Sequence, residues 1–286
     1  MTLIEDNIQS NIVICKVNSS SNMARGSLLL AWQVANKHCL VIGGGDVALS
    51  RVEHMIRAGA KITVVTGSGH IHPKIIELSE QGSIYSLIKR DFKSEDLKMY
   101  EKSQVKIEEV FDLLNAQHYE EINDAVQNQI FAVVCCCIDD YDLSTKIYYQ
   151  CKLLRLPVNI ADKPPMCDFY FGSMYNRDNL QIMISTNGMS PRLSKLIKDN
   201  ISRQFNDIDL NKAVENLGHL RARLREKVVT QDDLSSIDAR MAWIKSVTDY
   251  FTIRQWSEMD LGTDIADRML SYYPELPPND YENYVS

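Results

Sequence analysis

The sequence predicts an α/β fold in three parts: a doubly wound parallel sheet, a small α+β unit and a helical C-terminal region. Three observations support this prediction. Apolar runs alternate with helical patterns in the first half of the chain, a glycine-rich turn follows the first run, and amphipathic stripes fill the part after residue 206. A chain of 286 residues, 45% of them hydrophobic, can bury more than one core.

Five apolar runs are predicted to be the strands of one sheet: Cys39–Ile42, Lys61–Val65, Ile84–Ile88, Phe131–Ile138 and Pro157–Ile160. Helical patterns lie between them at Val47–Ala58, Pro73–Gln81 and Leu143–Leu154. Because helices connect the strands, we expect the strands to be parallel, in a domain that spans residues 28–165. Residues 94–129 exceed the length of one crossover and are predicted to be a helical insertion that affects only the surface.

Beyond residue 165 the pattern changes. Phe169–Gly172 and Leu180–Ser185 are predicted to be two strands, with a turn at Tyr175–Asn179 and a helix from Ser190 onward. This unit, residues 166–205, is too small for its own core and is therefore predicted to be a dimerisation domain. Residues 206–286 are predicted to form a helical domain, with stripes such as Leu210, Val214, Leu217 and Leu224, or Met241, Ile244, Val247 and Phe251. Residues 1–27 are polar and are expected to be poorly ordered.

Composition excludes several classes of function. The net charge of −7 argues against a nucleic-acid or anionic-membrane partner, and no apolar stretch is long enough to span a membrane. Cys135, Cys136 and Cys137 are consecutive in a predicted strand, so their side chains alternate between faces and cannot share one tetrahedral metal. The odd number of cysteines, seven, and the consecutive cysteines in one strand indicate a reducing compartment. Because Glu5 and Asp6 are unlike the acid-poor composition of a transit peptide, the cytoplasm is expected.

The glycine-rich turn carries the strongest functional signal. Gly43, Gly44 and Gly45 follow a predicted strand, and Ala48 lies in the helix that comes next. In the G-x-G-x-x-G/A motif of Rossmann domains, the glycines permit a tight turn and a close approach to a pyrophosphate, while a small third residue lets helix and strand touch. The helix N-terminus then faces the phosphates. The sequence therefore predicts a dinucleotide site here.

The second strand lacks the acid that usually binds the ribose hydroxyls. Thr66, Gly67 and Ser68 stand at its end, so the choice between NAD and NADP is left open. Arg51, in the first helix, is interpreted either as a phosphate contact or as a solvated residue. His70 and His72 are interpreted as loop residues that face water rather than as metal ligands.

Asp162 is the candidate for proton transfer. It follows the fifth strand, at the edge where ligands of open α/β sheets bind. A carboxylate there can accept a proton when a hydride leaves a substrate. Aspartate before Lys163-Pro164-Pro165 is equally consistent with an ordinary turn, and the spacing does not decide between the two.

Three motifs in order resemble the siroheme-synthesis family. They are Gly43–Ala48 with Arg51, Asn159–Gly172 and Gln181–Arg192. The resemblance covers about residues 28–203; it is strongest to the family's fungal bifunctional precorrin-2 dehydrogenase and sirohydrochlorin ferrochelatase, and extends to the N-terminal module of bacterial siroheme synthases. It implies a homodimer that oxidises precorrin-2 to sirohydrochlorin with NAD and then inserts ferrous iron, with Asp162 implicated in both reactions.

The resemblance also implies site residues. Cofactor contacts are implied at Asp46 and Val47, at Thr66, Gly67 and Ser68, and at Phe92. The substrate carries many carboxylates, so Lys163 and Arg192, which are near the proposed site in sequence, are candidate substrate-binding residues. No fixed metal ligand is predicted, since iron must pass to the macrocycle. Two alternatives stay open: a dehydrogenase without chelatase activity, and a dinucleotide-sensing or scaffold protein without catalysis.

Overall fold

The computed structural model describes residues 27–67, 69, 71–102, 116–228 and 234–285. The predicted cofactor contact Ser68, the loop residue His70 and nearly all of the N-terminal segment 1–27 lie outside the described residues. Among the described helices, none is both long and apolar enough to cross a membrane.

The sheet has five parallel strands in the order β3-β2-β1-β4-β5. The strands are β1 (His38–Ile42), β2 (Lys61–Thr66), β3 (Ser86–Lys89), β4 (Phe131–Cys136) and β5 (Val158–Ile160). The predicted doubly wound sheet is thus confirmed, with boundary shifts of one or two residues. The strand order reverses at β1: β2 and β3 follow on one side of it, and β4 and β5 on the other. Ligands of such folds bind at this switch point, between β1 and β4.

Helices cover both faces of the sheet. They are α1 (Asp46–Arg57), α2 (Pro73–Glu80) and α4 (Tyr141–Leu153), while α3 (Ala116–Asp124) belongs to the insertion between β3 and β4. Successive strand residues pack into the two hydrophobic cores on opposite faces of the sheet. Cys135 packs with α1 and α2, whereas Cys136 packs with α4. The prediction that these neighbouring cysteines point to opposite faces is therefore confirmed.

The described residues at the two ends of the insertion between β3 and β4 pack against the sheet, which corrects the prediction that the insertion affects only the surface. After a 3₁₀ turn at Ser94–Lys98, Tyr100 stacks on the His38 ring with centroids 4.1 Å apart. The Tyr100 hydroxyl lies 2.9 Å from Oγ1 of Thr63, and Lys61 donates to Asn128 Oδ1 at 2.5 Å. The two ends of the insertion therefore hold the amino-terminal edge of the sheet.

We expect acid to weaken this contact through His38. His38 is buried, and burial together with the charge of Lys61 lowers the pKa of its imidazole. The unfolded chain therefore binds this proton at a higher pH than the native protein, and stability is lost as the pH falls below the ordinary histidine value of about 6.5. Thermal unfolding of His38→Phe should show less loss between pH 7 and pH 5 than the wild type. The same loss in both proteins would contradict the assignment; His54→Gln, which removes a histidine outside this cluster, serves as the control.

A two-stranded antiparallel hairpin follows the sheet domain. It consists of β6 (Ser173–Arg177) and β7 (Leu180–Ile184), and α5 (Pro191–Gln204) comes next. The prediction of a strand at Phe169–Gly172 is wrong, and the turn is at Asp178 and Asn179 instead of Tyr175–Asn179. The reason is that Phe169 and Phe171 pack against the core of the sheet domain, so the hairpin begins only after them.

The C-terminal region is helical, as predicted, and has its own core. Its helices are α6 (Leu210–Val228), α7 (Leu234–Thr248), α8 (Ile253–Glu258) and α9 (Thr263–Leu270). Part of the predicted stripe on α7 is wrong, since Met241 is 46% exposed whereas Trp243 is 4% exposed. The Trp243 indole donates to the carbonyl of Glu275 at 2.9 Å, so a tertiary contact decides which face of α7 is buried.

Candidate functional site

The glycine turn is shaped by its neighbours. Gly43 has a φ of +115°, and a β-carbon there would collide with the carbonyl oxygen of Cys137. A β-carbon on Gly44 would lie 2.6 Å from Oγ1 of Thr66, whereas nothing lies within 4 Å of one built on Gly45. The first two glycines are thus required by packing, while the third leaves open space before α1. The free N–H groups at the start of α1 border that space, so the turn fits a pyrophosphate.

His72, which follows β2, contacts this turn. The backbone N–H of His72 donates to the Gly44 carbonyl at 2.8 Å, and its Nδ1 accepts from the N–H of Lys74 at 3.0 Å. His72 therefore caps α2, which corrects the prediction that it simply faces water. Its Nε2 lies 3.6 Å from the carboxylate of Asp46, a side chain that is 95% exposed. Val47 is also exposed, so both predicted cofactor contacts at the start of α1 are accessible.

Asp162 lies just beyond the carboxyl end of β5. Ala161 continues the strand pairing by donating to the Cys136 carbonyl at 2.9 Å, and Asp162 then adopts a φ of +58°. This left-handed conformation is one that aspartate tolerates better than most residues. The bend turns the chain at the end of the sheet and leaves Asp162 exposed.

Backbone pairing puts Asp162 and the glycine turn at the same edge of the sheet. The N–H of Cys137 donates to the Ile42 carbonyl at 2.7 Å, and the N–H of Ala161 donates to the Cys136 carbonyl at 2.9 Å. Burial raises the pKa of the Cys137 thiol to about 12; the positive charge of Arg51 opposes that rise, and the negative charge of Asp162 adds to it. Cys137 is also the residue that a side chain at Gly43 would strike. The carboxyl edge of the sheet thus carries both Gly43 and Asp162, as the sequence predicts.

Residues that sequence reasoning left without a role hold the Asp162 loop. The thiol of Cys167 donates to the carbonyls of Ile160 and Lys163, at 3.2 and 3.3 Å. Asp168 accepts from the backbone N–H of Val158 at 3.1 Å and from Lys152 at 2.6 Å. The Cys-Asp pair therefore ties the chain on both sides of Asp162 to β5. Its place shortly after the candidate aspartate, beyond Lys163–Met166, was the signal that could have indicated this role.

The two candidate substrate-binding cations are placed differently. The Lys163 ammonium group contacts Ser144, donates to the Tyr141 carbonyl at 3.2 Å and lies 3.8 Å from the centre of the Tyr141 ring. It is therefore held by the start of α4. Arg192 is exposed in the first turn of α5, and among the described residues no hydrogen bond or ion pair joins it to Asp162.

Arg51 has a role that neither interpretation of the sequence foresaw. Its guanidinium carbon lies 4.2 Å from the centre of the Phe171 ring, and His54 meets the same ring edge-on at 5.3 Å. Arg51 thus links α1 to the aromatic segment that leads to the hairpin. Phe92, a predicted cofactor contact, follows β3 and packs partly against the core beside α4. Within the described part of the chain, no group of three or more His, Cys, Asp or Glu residues could hold a metal ion.

Comparisons with known proteins agree with this geometry. A family model described as NAD(P)-binding matches residues 30–173, and models for the central and C-terminal parts of sirohaem biosynthesis proteins match residues 177–204 and 207–276. The siroheme biosynthesis protein of Schizosaccharomyces pombe is 31% identical over 89% of this chain and 82% of its own. That of Saccharomyces cerevisiae is 37% identical over 82% of this chain and 87% of its own.

More distant proteins extend the comparison. A siroheme synthase of Psychrobacter is 26% identical over 70% of this chain but 34% of its own length. The solved structure titled SirC, precorrin-2 dehydrogenase, superposes with a TM-score of 0.53 at 17% identity and covers 86% of this chain and all of its own. At that identity the likeness concerns the fold.

The sheet, the glycine turn and the NAD(P)-binding model together define a nicotinamide-dinucleotide-binding protein of the Rossmann class. The fungal relatives, which match most of the chain, identify its family more narrowly. The chain belongs to the siroheme biosynthesis family.

Proposed function

We propose that this protein oxidises precorrin-2 to sirohydrochlorin with NAD and then inserts ferrous iron to give siroheme. The observation that carries the proposal is that Asp162 lies at the same edge of the sheet as a turn that fits a pyrophosphate. Two fungal relatives named siroheme biosynthesis proteins, similar over most of their length, support the pathway. A solved structure of the same fold is titled a precorrin-2 dehydrogenase.

A bound dinucleotide would supply the hydride acceptor, and the glycine turn would hold it in place. Gly43–Gly45 bring the backbone close to the pyrophosphate, and the N-terminus of α1 stabilises its charge. Thr66 and Gly67 border the same space at the end of β2. Asp46 and Val47, both exposed at the first turn of α1, are the remaining contacts that we propose on this side.

Asp162 serves as the proton acceptor in both reactions. Loss of a hydride from precorrin-2 leaves a proton that must go to a base, and an exposed aspartate at the sheet edge can take it. Iron insertion displaces the pyrrole N–H protons, which the same carboxylate can accept in turn. Iron is thus a substrate that binds to the macrocycle.

Each reaction has its own test. Purified protein given precorrin-2 and NAD should produce sirohydrochlorin, which is followed by its absorbance. Lack of product with both NAD and NADP would contradict the dehydrogenase proposal and favour a scaffold or sensor. Supplied sirohydrochlorin and ferrous iron, without NAD, should yield siroheme faster than the reaction without protein. An equal rate would favour the alternative of a dehydrogenase that lacks chelatase activity.

We further propose that the active form is a cytoplasmic homodimer that forms through the hairpin and α5. A two-stranded sheet has little stability by itself, and α5 leaves Leu193 and Leu196 48% and 49% exposed. The hairpin also borders a cavity of about 670 Å³ beside α1, lined by Met174, Met183 and Phe171. Such an accessible apolar surface is typical of an interface. The six cysteines among the described residues are free thiols, as expected in the cytoplasm.

A charge on α5 should break the dimer. Light scattering of the wild type should give a mass about twice 32.7 kDa, the mass of one chain, whereas Leu196→Glu should give a monomer because a buried, unpaired carboxylate destabilises an apolar interface. Asn200→Glu adds the same charge at an exposed polar position of α5 and should remain dimeric. A wild-type monomer, or a Leu196→Glu dimer, would contradict this interface.

A further inference from the structure

The carboxylate of Asp91 lies against Gly67, at the end of β2. A β-carbon built on Gly67 would collide with Oδ1 of Asp91 and lie 3.6 Å from its Cγ. The register explains this contact, because Thr66 pairs with Lys89 and the carboxyl ends of β2 and β3 therefore lie side by side. The neighbouring strand thus brings a carboxylate to the place from which the usual acid of β2 is missing.

The adjacent arginine is held away from this place. Arg90 donates to both carboxylate oxygens of Asp96, at 2.8 and 2.7 Å, and to the backbone carbonyl of Asp91 at 3.0 Å. The Asp96 side chain is 5% exposed. Burial alone would raise the pKa of Asp96, but hydrogen bonds from Arg90 and from the N–H of Lys93 hold it below its ordinary value. A bidentate pair of this kind keeps the guanidinium from acting as a phosphate ligand.

The Asp91 carboxylate itself is available. It is exposed, and in the described part of the chain it has no hydrogen bond or ion pair. An acid in this position normally accepts from a ribose hydroxyl, whereas an arginine here accommodates a 2′-phosphate. After β3, the Asp91 carboxylate is therefore accessible beside Gly67, whereas the Arg90 guanidinium is bound to Asp96.

We propose that Asp91 accepts a hydrogen bond from the 2′-hydroxyl of the adenosine ribose and sets the preference for NAD over NADP. This inference rests on the proposed function, because it assumes that the glycine turn binds the pyrophosphate of the same cofactor. A 2′-phosphate would meet the Asp91 carboxylate with like charge, and the hydroxyl that donates to it would be lost. Lys89 and Lys93, which flank Asp91 and are exposed, would attract a 2′-phosphate. The ratio of the dissociation constants for NAD and NADP therefore measures whether repulsion by the carboxylate exceeds attraction by the two lysines.

The test is equilibrium binding by calorimetry on the full chain, without substrate. The wild type should bind NAD about tenfold or more tightly than NADP, the ratio expected for one hydrogen bond to a charged acceptor. Asp91→Asn, which keeps the size of the side chain, should weaken NAD, strengthen NADP and bring the two dissociation constants close together. Glu95→Gln removes an exposed charge from the same loop and should leave the ratio unchanged.

A second ligand isolates the contact. The wild type should bind 2′-deoxy-NAD, which lacks the 2′-hydroxyl, more weakly than NAD, whereas Asp91→Ala should bind the two ligands almost equally. The four dissociation constants form a thermodynamic cycle that measures the interaction between Asp91 and the hydroxyl. NAD binding with a ratio that Asp91→Asn does not change would overturn this inference and leave the proposed function intact. Failure of both dinucleotides to bind would overturn the inference together with the dehydrogenase proposal. Unchanged melting temperatures would show that the variants fold.

Discussion

Replacement of Asp162 by asparagine should reduce both proposed reactions about 100-fold or more while NAD affinity changes little. General-base catalysis typically contributes about 10²- to 10⁴-fold, and the amide cannot accept the proton. Asparagine also tolerates the left-handed conformation, with φ of +58°, so the change removes the base without adding backbone strain. Because the pyrophosphate contacts lie on β1 and α1, binding of the dinucleotide should be preserved.

A matched control is available in the same chain. Asp178 is exposed in the hairpin turn and has a similar φ of +49°. Asp178→Asn should leave both rates unchanged. Loss of dehydrogenation alone in Asp162→Asn would show that a different group takes the pyrrole protons, and full retention of both activities would show that Asp162 is only a turn residue.

Substitution of Gly45 by aspartate should separate the two reactions. A β-carbon at Gly45 meets nothing within 4 Å, and its φ of −85° suits any residue, so the variant should fold normally. The new carboxylate would enter the space in front of α1 and repel the pyrophosphate. We expect the dissociation constant for NAD to rise about 100-fold or more, a difference of about 2.7 kcal/mol. Dehydrogenation should fail, whereas iron insertion into supplied sirohydrochlorin should continue.

Two controls distinguish charge from packing. Gly45→Ala adds a small group to open space and should bind NAD with a modest loss. Gly43→Ala should destabilise the protein itself, because its φ of +115° is strained for alanine and the β-carbon would collide with the backbone of Cys137. Unchanged NAD affinity in Gly45→Asp would contradict the position proposed for the pyrophosphate. Loss of iron insertion in the same variant would indicate that the two reactions are coupled through the dinucleotide.

The sheet and one edge of the site could be predicted because they depend on local patterns. Apolar runs at regular spacing define parallel strands, and a glycine turn after β1 identifies its carboxyl edge. Asp162 was predicted for the same reason, since it follows β5 and all parallel strands end at that edge. The domain boundaries at 27, 165 and 205, and the roles of the site residues, stay predictions.

The errors arose where contacts distant in sequence decide the outcome. Phe169–Gly172 has the composition of a strand, but its two phenylalanines are needed to pack on the sheet domain, and the hairpin starts four residues later than predicted. Likewise Met241 and Trp243 are both apolar, and only the contact between Trp243 and the Glu275 carbonyl shows which one is buried. The predicted surface insertion instead places Tyr100 on His38.

The missing acid after β2 was also interpreted without a contact that is distant in sequence. The sequence at Thr66-Gly67 shows only that β2 brings no carboxylate. It does not show that β3 ends beside it with Asp91, because the pairing of Thr66 with Lys89 is a property of the folded sheet. Sites assembled from neighbouring strands can therefore retain a chemical group that the motif of a single strand lacks.

The central claim is that one chain carries out two successive reactions, of which only the first needs the dinucleotide. The most direct measurement gives purified protein precorrin-2 and ferrous iron, with and without NAD, and follows siroheme by its absorbance. We predict siroheme only with NAD, and siroheme without NAD when sirohydrochlorin replaces precorrin-2. The claim would be contradicted if sirohydrochlorin accumulated and siroheme formed no faster with the protein than without it.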